Sequence, residues 1–194
     1  VTTFDPETHT YEVDGVRWPS VTELIEYAGL KNNFGHTPFY AQRGKYVHRA
    51  IELDVKGTLD IATVDPEVRP GLEAWRDFRA ASECEVAATE RRVFNAELRY
   101  GGTMDLLLEM EGRFFVTDVK YGSPAPWHGL QAFMYRDALL SEGYSHYAEP
   151  AVLYLRKNGR YSWRLVEEDL TAQMRLICEK WWADHAEVKE LWGG

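Results

Sequence analysis

Asp105, Asp118 and Lys120 are the residues of this chain whose types and spacing point most directly to chemistry. Residues 103–111 (TMDLLLEME) and 113–120 (RFFVTDVK) are apolar and extended in character, with Glu111-Gly112 between them as a two-residue hairpin loop. That loop pairs Met110 with Arg113, and counting outward sets Asp105 directly opposite Asp118. Opposed residues hold their Cβ atoms about 4.5–5.5 Å apart, and opposed like charges destabilise a sheet. Strand alternation puts Lys120 on the face of Asp118 and turns Val119 away. Two carboxylates therefore lie side by side, with one ammonium next to them, among apolar residues. A hard divalent cation is the simplest physical reason to accept that repulsion.

Two helical segments flank this hairpin in sequence. Upstream, the run Arg43-Gly44-Lys45-Tyr46-Val47-His48 falls mid-helix, and Glu52 follows four residues after His48. Positions i and i+4 share a helix face, so His48 and Glu52 point the same way, with Gly44 one turn earlier on that stripe. Glycine costs about 1 kcal/mol in a helix interior relative to alanine, which close approach by another backbone or by a ligand would explain. Alone, the pair also reads as an exposed His–Glu couple on an ordinary helix. Downstream, Gln131 and Tyr135 share one face of the helix after the hairpin. Glu90 lies on the strand before Asp105, where on its own it reads as a strand-face carboxylate paired with Arg91 or Arg92.

The elements that must position these residues are legible in outline. Residues 9–13 and 16–18 read as strands around Asp14-Gly15, a strong hairpin signal. Ser20 and Glu23 form a capping box opening a short helix to about Ala28, closed by Gly29. A loop with Asn32, Asn33 and Gly35 follows, then Thr37-Pro38 as N-cap and first position of a helix to about Val55. The pattern continues with a helix at 66–81, strands at 85–94, 98–110 and 113–120, and a helix at 127–141. Strands at 147–155 and 161–166 bracket Asn158-Gly159, and a last helix covers 170–191, its apolar stripe including Leu170, Met174, Ile177, Trp181, Val188 and Trp192. This order predicts an α/β sandwich in which helices flank a mixed central sheet, built as a single domain over residues 1–194.

Composition narrows the function. The 194 residues, 45% hydrophobic with seven Trp, suit one folded domain with a proper core. No apolar run approaches the ~20 residues of a membrane span, so no membrane partner is expected. Two cysteines, Cys84 and Cys178, far apart in sequence, suggest neither a disulfide framework nor a four-thiolate cluster, and an intracellular, cytoplasmic setting is the default. The net charge of −9 argues against indiscriminate nucleic-acid binding but not against a local basic surface, for which Arg43, Lys45, Arg49, Arg91, Arg92, Arg99, Arg156 and Lys157 are candidates.

Together, Asp105 and Asp118-Val119-Lys120 resemble the PD-(D/E)xK nuclease superfamily, whose fold is the restriction-endonuclease-like α/β sandwich. The helical His48 before the strands and the Gln131…Tyr135 pair after them resemble the RecB-like exonuclease branch, in the same order. The resemblance spans residues 37–140, and the 9–23 region looks like that of phage-type exonucleases. It implies that Asp105, Asp118 and Lys120 are catalytic, and that His48, Asp105, Asp118 and the Val119 carbonyl hold one or two Mg²⁺ or Mn²⁺ ions. Glu90 and Glu52 are further candidates for that site, and Gln131, Tyr135, Arg43 and Lys45 for DNA contact.

The chain departs from relatives that bind an iron–sulfur cluster, since it lacks the four cysteines; it looks like the compact, phage-type version. No G-x-x-x-x-G-K-[ST] sequence is present, so ATP-driven unwinding would come from a helicase partner; a single-strand annealing protein is the other partner the resemblance suggests. The expected activity is metal-dependent exonucleolytic hydrolysis of DNA, 5′→3′, in phage-type recombination or repair, in a bacterial or phage-encoded protein. The alternatives are a structure- or site-specific endonuclease on the same fold and a non-catalytic DNA-binding relative.

Overall fold

The computed structural model describes residues 2–5, 10–31 and 38–185, with side chains in the second helix from residue 42. A small meander of β1 (Thr2–Asp5), β2 (Thr10–Val13) and β3 (Val16–Trp18) leads into helix α1 (Val21–Tyr27). Helices α2 (Pro38–Val55) and α3 (Arg69–Ser82) follow, then strands β4 (Glu85–Asn95), β5 (Tyr100–Met110) and β6 (Arg113–Tyr121). Helix α4 (Trp127–Ser141), strands β7 (Ala148–Leu155) and β8 (Tyr161–Leu165), and helix α5 (Thr171–Asp184) complete the order.

Strands β4 to β8 form one five-stranded sheet in sequence order. Only β6 and β7 run parallel, joined by α4, because a parallel pair needs a crossover that a tight turn cannot supply. One apolar cluster lies between the sheet and α1, α4 and α5, and holds Leu24, Leu107, Val116, Met134 and Trp181. The other lies under α2 and α3, and holds Val47, Leu72, Trp75, Leu108 and Val119. Trp75 and Trp181 are fully buried, one in each cluster; an aromatic side chain of this kind removes on the order of 150–250 Å² from water. This is the mixed-sheet α/β sandwich that the order of elements predicts.

The local rules operate at the turns. Asp14 and Gly15 have φ of 50° and 80°, and Glu111 and Gly112 have 51° and 75°, the two positive values a type I′ hairpin loop requires. At α1 the Glu23 N–H donates to Ser20 Oγ at 3.0 Å and the Ser20 N–H to Glu23 Oε2 at 3.4 Å, so the capping box is present.

Several boundaries differ from the sequence pattern. Strand β1 has no turn signal ahead of it and is absent from the sequence reading. Helix α3 opens at Arg69 instead of 66, with Pro70 in its first turn. Strand β5 starts at Tyr100, because Asn95 Oδ1 accepts the Leu98 N–H at 2.7 Å and turns the chain first. The expected strand start at His9, the loop with Asn32, Asn33 and Gly35, the Thr37 cap and the stretch 186–191 of the last helix with Val188, together with Trp192, lie outside the described residues.

The meander is tied to the sheet beside the candidate site. The Gly101 N–H donates to the Pro19 carbonyl at 3.0 Å, and Tyr11 OH meets Thr103 Oγ1 at 2.9 Å. A Cβ at Gly101 would stand 2.9 Å from Tyr11 Cγ, so only glycine admits this contact. Among the described residues no helix is long and apolar enough to cross a membrane.

Candidate active site

The β5–β6 register runs from Met110–Arg113 to Leu106–Thr117 and stops there. The next rung is Asp105 and Asp118. Here the ladder is replaced: the Val119 N–H donates to Asp105 Oδ2 at 2.7 Å, a side chain where backbone pairing has ended. The pleat also slips. Leu106 and Leu108 pack with the α2–α3 cluster and Leu107 with the other, yet Tyr100 and Met104 also belong to the latter. The alternation therefore shifts by one between Met104 and Leu106, at Asp105.

Strand β4 keeps its register but is distorted at the same rung. Thr89 pairs with Leu106 and Arg91 with Met104, which leaves Glu90 facing Asp105 by count. Glu90 has φ of 48°, a left-handed conformation costing on the order of 1–3 kcal/mol for a residue with a Cβ. Such strain persists only where the surroundings enforce it, and it concentrates at functional sites.

Helix α2 lies against β4 and β6, anchored by buried Val47, Ala50 and Ile51, and this brings His48 over the break. His48 Nδ1 lies 3.3 Å from Asp105 Oδ1. Among the described residues His48, Glu90 and Asp105 form a group that could hold a metal ion, their ligand atoms within 4.8 Å of one another. Asp118 is outside that group. Its side chain is 1% exposed and engaged by Lys120, whose Nζ donates to Oδ1 at 3.0 Å and lies 2.8 Å from Oδ2. Oδ2 itself accepts no hydrogen bond although it is closed off from solvent.

The electrostatics follow from this crowding. Burial works to lower the His48 imidazole, but the Asp105 carboxylate against it prevails and raises it to about 8. Burial pushes Asp105 upward, while His48, Lys120 and the Val119 N–H hold it below the usual carboxylate value. Asp118 is raised to about 6 by burial, against the pull of Lys120 and with Asp105 adding to the rise. Glu90 is exposed as a whole residue, but desolvation within the cluster and the Asp105 charge raise its carboxyl to about 7. Three acids thus share a space in which full ionisation is opposed.

This donor set fits a hard divalent cation. One imidazole nitrogen and two carboxylates converge, and the buried Asp118 carboxylate, held by the Lys120 ammonium, lies on the neighbouring strand. A cation would also reverse the acids' reluctance to ionise.

The other expected residues divide. Glu52 lies apart from the metal-binding group: its carboxylate is taken by Arg49 and Lys56, each at 2.5 Å, and held below its usual value mainly by the Lys56 bond. Gln131 and Tyr135 do meet, the Gln131 amide donating to Tyr135 OH at 2.8 Å, but they are only 7% and 6% exposed. That leaves little surface for direct strand contact. Arg43 sits between Glu67, at 3.1 Å, and the Tyr121 ring, while Lys45 is exposed. A Cβ at Gly44 would meet nothing within 4 Å, so among the described residues no neighbouring backbone accounts for that glycine.

Two features escaped the sequence reading. Gly102 is required because a Cβ there would stand 2.5 Å from Tyr135 Cε1; paired glycines inside a strand are the signal that could have shown it. Trp127 and His128 open α4 beside Lys120, whose Nζ lies 5.4 Å from the Trp127 ring centroid. His128 Nδ1 accepts the Ala125 N–H at 3.1 Å, and burial, with Lys120 and Lys31 nearby, pushes its imidazole down to about 3. Their position directly after the Asp-x-Lys strand was the available cue.

Comparison with known proteins identifies the family. The profile of the PD-(D/E)XK nuclease superfamily matches residues 25–192. No curated protein matches the chain. Among solved structures, LHK-Exo in complex with dAMP is 16% identical, with 90% of this chain and 91% of that one covered at a TM-score of 0.49. A second structure, an alkaline exonuclease (LHK-Exo) from Laribacter hongkongensis, is 14% identical, with 87% and 89% covered at a TM-score of 0.48. With the profile spanning most of its length, and with paired acids and a lysine at the break in its sheet, this chain belongs to the PD-(D/E)XK nuclease superfamily.

Proposed function

We propose that residues 1–194 act as one nuclease domain, an exonuclease that hydrolyses DNA phosphodiester bonds from a free end. The observation that carries the catalytic reading is the convergence of His48, Glu90 and Asp105 beside the Asp118–Lys120 pair. His48, Glu90 and Asp105 would hold a divalent cation, with Asp118 and the Val119 carbonyl completing the site. Mg²⁺ or Mn²⁺ bound there supplies Lewis-acid polarisation of the phosphoryl group and acidifies water. Imidazole is a less usual partner for Mg²⁺ than carboxylate oxygen, which favours Mn²⁺ as an alternative.

The protein groups do the rest. Asp105 carries the most firmly ionised carboxylate of the three and fixes both His48 and the β6 backbone. Lys120 brings a positive charge to the edge of the cluster, where it can orient a water and offset charge developing on the scissile phosphate. Gln131 and Tyr135 brace the floor beneath the acids: Tyr135 is buried against Gly102, near enough for Asp118 and Asp105 to raise its phenol well above the usual value, after burial itself.

End dependence and 5′→3′ progress rest on the resemblance of His48 and the Gln131…Tyr135 pair to the compact RecB-like exonucleases. The test is to offer covalently closed circular DNA beside the same sequence linearised, with Mg²⁺ or Mn²⁺ and with EDTA. Hydrolysis of the linear form alone, abolished by EDTA, is expected. Equal rates on both forms would move the protein to an endonuclease role, and undiminished hydrolysis in EDTA would end the metal reading.

A further inference from the structure

We propose that the β7–β8 hairpin turn is a backbone-phosphate clamp for the nucleic-acid strand whose end lies in the active site. This rests on the nuclease reading above. The turn carries Arg156, Lys157 and Arg160, and Arg164 follows near the far end of β8, opposite Val152, with no acidic residue from Arg156 to Val166 in a chain whose net charge is −9. Lys157, Arg160 and Arg164 are exposed, and Arg156, Arg160 and Arg164 make no ion pair among the described residues. Strand β8 is a sheet edge, where charge protects against aggregation. Edge protection accounts for single cations along the strand, whereas here four cations fall within residues 156–164 and their sign is opposite to that of the molecule.

Topology puts this turn beside the site. Strands β6 and β7 run parallel, so their C-terminal ends lie at the same end of the sheet, with Lys120 opposite Tyr154 and Tyr121 opposite Leu155. Arg156 is two residues past Tyr154. A rise of about 3.3 Å per residue and a strand spacing of about 4.8 Å place its Cα about 8 Å from that of Lys120. The turn is also held rigid. The Arg156 N–H donates to the Arg160 carbonyl at 2.9 Å, the Gly159 N–H to the Arg156 carbonyl at 3.0 Å, and the Arg160 N–H to Asn158 Oδ1 at 3.2 Å. A rigid cationic turn one strand away from the catalytic lysine matches a polyanion that leaves the site across β7. Such contacts carry no sequence information; they hold the strand in place and release counterions on binding.

The experiment compares three proteins in an Asp118→Asn background that prevents cleavage: the parent, the Arg156→Gln/Lys157→Gln/Arg160→Gln variant, and an Arg79→Gln/Arg175→Gln/Lys180→Gln control. Affinity for a labelled oligonucleotide is measured from about 50 to 200 mM salt. The hairpin variant is expected to flatten the slope of log affinity against log salt by about 2 to 3, while the control, of equal net charge, keeps the parent slope. With Asp118 restored, the hairpin variant should raise KM and leave kcat unchanged. Should the triple variant fold poorly, Lys157→Gln/Arg160→Gln at exposed positions should flatten the slope by about 1 to 2. An unchanged slope, or equal flattening in the control, overturns the clamp and leaves the turn to an acidic protein partner. If the Asp118-intact protein binds with this hairpin dependence but never cleaves, the catalytic reading fails and the clamp stands.

Discussion

The two ends of the β5–β6 hairpin obey different rules. At the turn, Met110 faces Arg113 through a regular ladder, Glu111 and Gly112 supply the two positive φ values the loop requires, and Leu108 and Phe115 fill the core under α2 and α3. At the open end the ladder stops at Leu106–Thr117, the pleat slips, Glu90 is forced to positive φ, and three acids, a histidine and a lysine crowd together. One end spends its residues on stability. The other gives up regular pairing to hold groups that repel one another, which is how a site betrays itself in an otherwise consistent sequence.

Substitutions should separate the two ends, with the largest effects at the open one. Asp105→Asn, Asp118→Asn and Lys120→Met should each lower the rate of DNA hydrolysis by about 10³-fold or more, because these groups work as a unit. Thermal melting should show each variant folded. A variant at any of these three positions that keeps near-normal turnover would break the contrast. At the turn end, Leu108→Ala should cost about 2–5 kcal/mol in urea unfolding, through the cavity it leaves in the α2–α3 cluster, while turnover per folded molecule stays within about twofold.

Smaller, but more diagnostic, is the pH dependence of stability. Glu90 at about 7 and Asp118 at about 6 lie above ordinary carboxyl values, and His48 at about 8 lies above an ordinary imidazole. All three bind protons more tightly folded than unfolded. Without a divalent ion, these three groups therefore favour folding at low pH and lose that contribution as pH rises from about 4 through 8, while Asp105, held below the usual carboxylate value, acts in the opposite sense at more acid pH. A divalent ion favours the deprotonated forms. Its stabilisation should therefore be larger at pH 8 than at pH 5.5, reaching about 5–10 °C in Tm at roughly a hundredfold excess over Kd. Glu90→Gln should shrink that difference, and an ion effect independent of pH would remove Glu90 from the site.

Much of this was legible in the sequence because it is local. The Glu111-Gly112 loop fixed the register, the register opposed Asp105 to Asp118, and the capping box and Asp14-Gly15 marked the meander and α1. The spacing of His48 also led to the site, although which helix face meets the sheet is decided by the burial of Val47, Ala50 and Ile51. Other features depend on contacts that no spacing rule contains. Whether Glu90 or Glu52 joins the acids turns on a backbone distortion in β4 and on Arg49 and Lys56. Gln131 and Tyr135 share a helix face as expected, but their depth follows from the Gly102 notch. Asp118 is engaged by its own lysine two residues on, a pairing that strand alternation permits without requiring.

The hydrogen bond from the Val119 N–H to Asp105 has a mechanical consequence. Beyond Thr117, strand β6 stays laddered to β7 but meets β5 through that one carboxylate. The sheet therefore contains a seam: β4 and β5 can part from β6 at this end without breaking a backbone rung. Local opening of this kind is cheap compared with global unfolding. Any yielding of the scaffold at this end is therefore expected along the seam, before the laddered turn end of the same hairpin gives way.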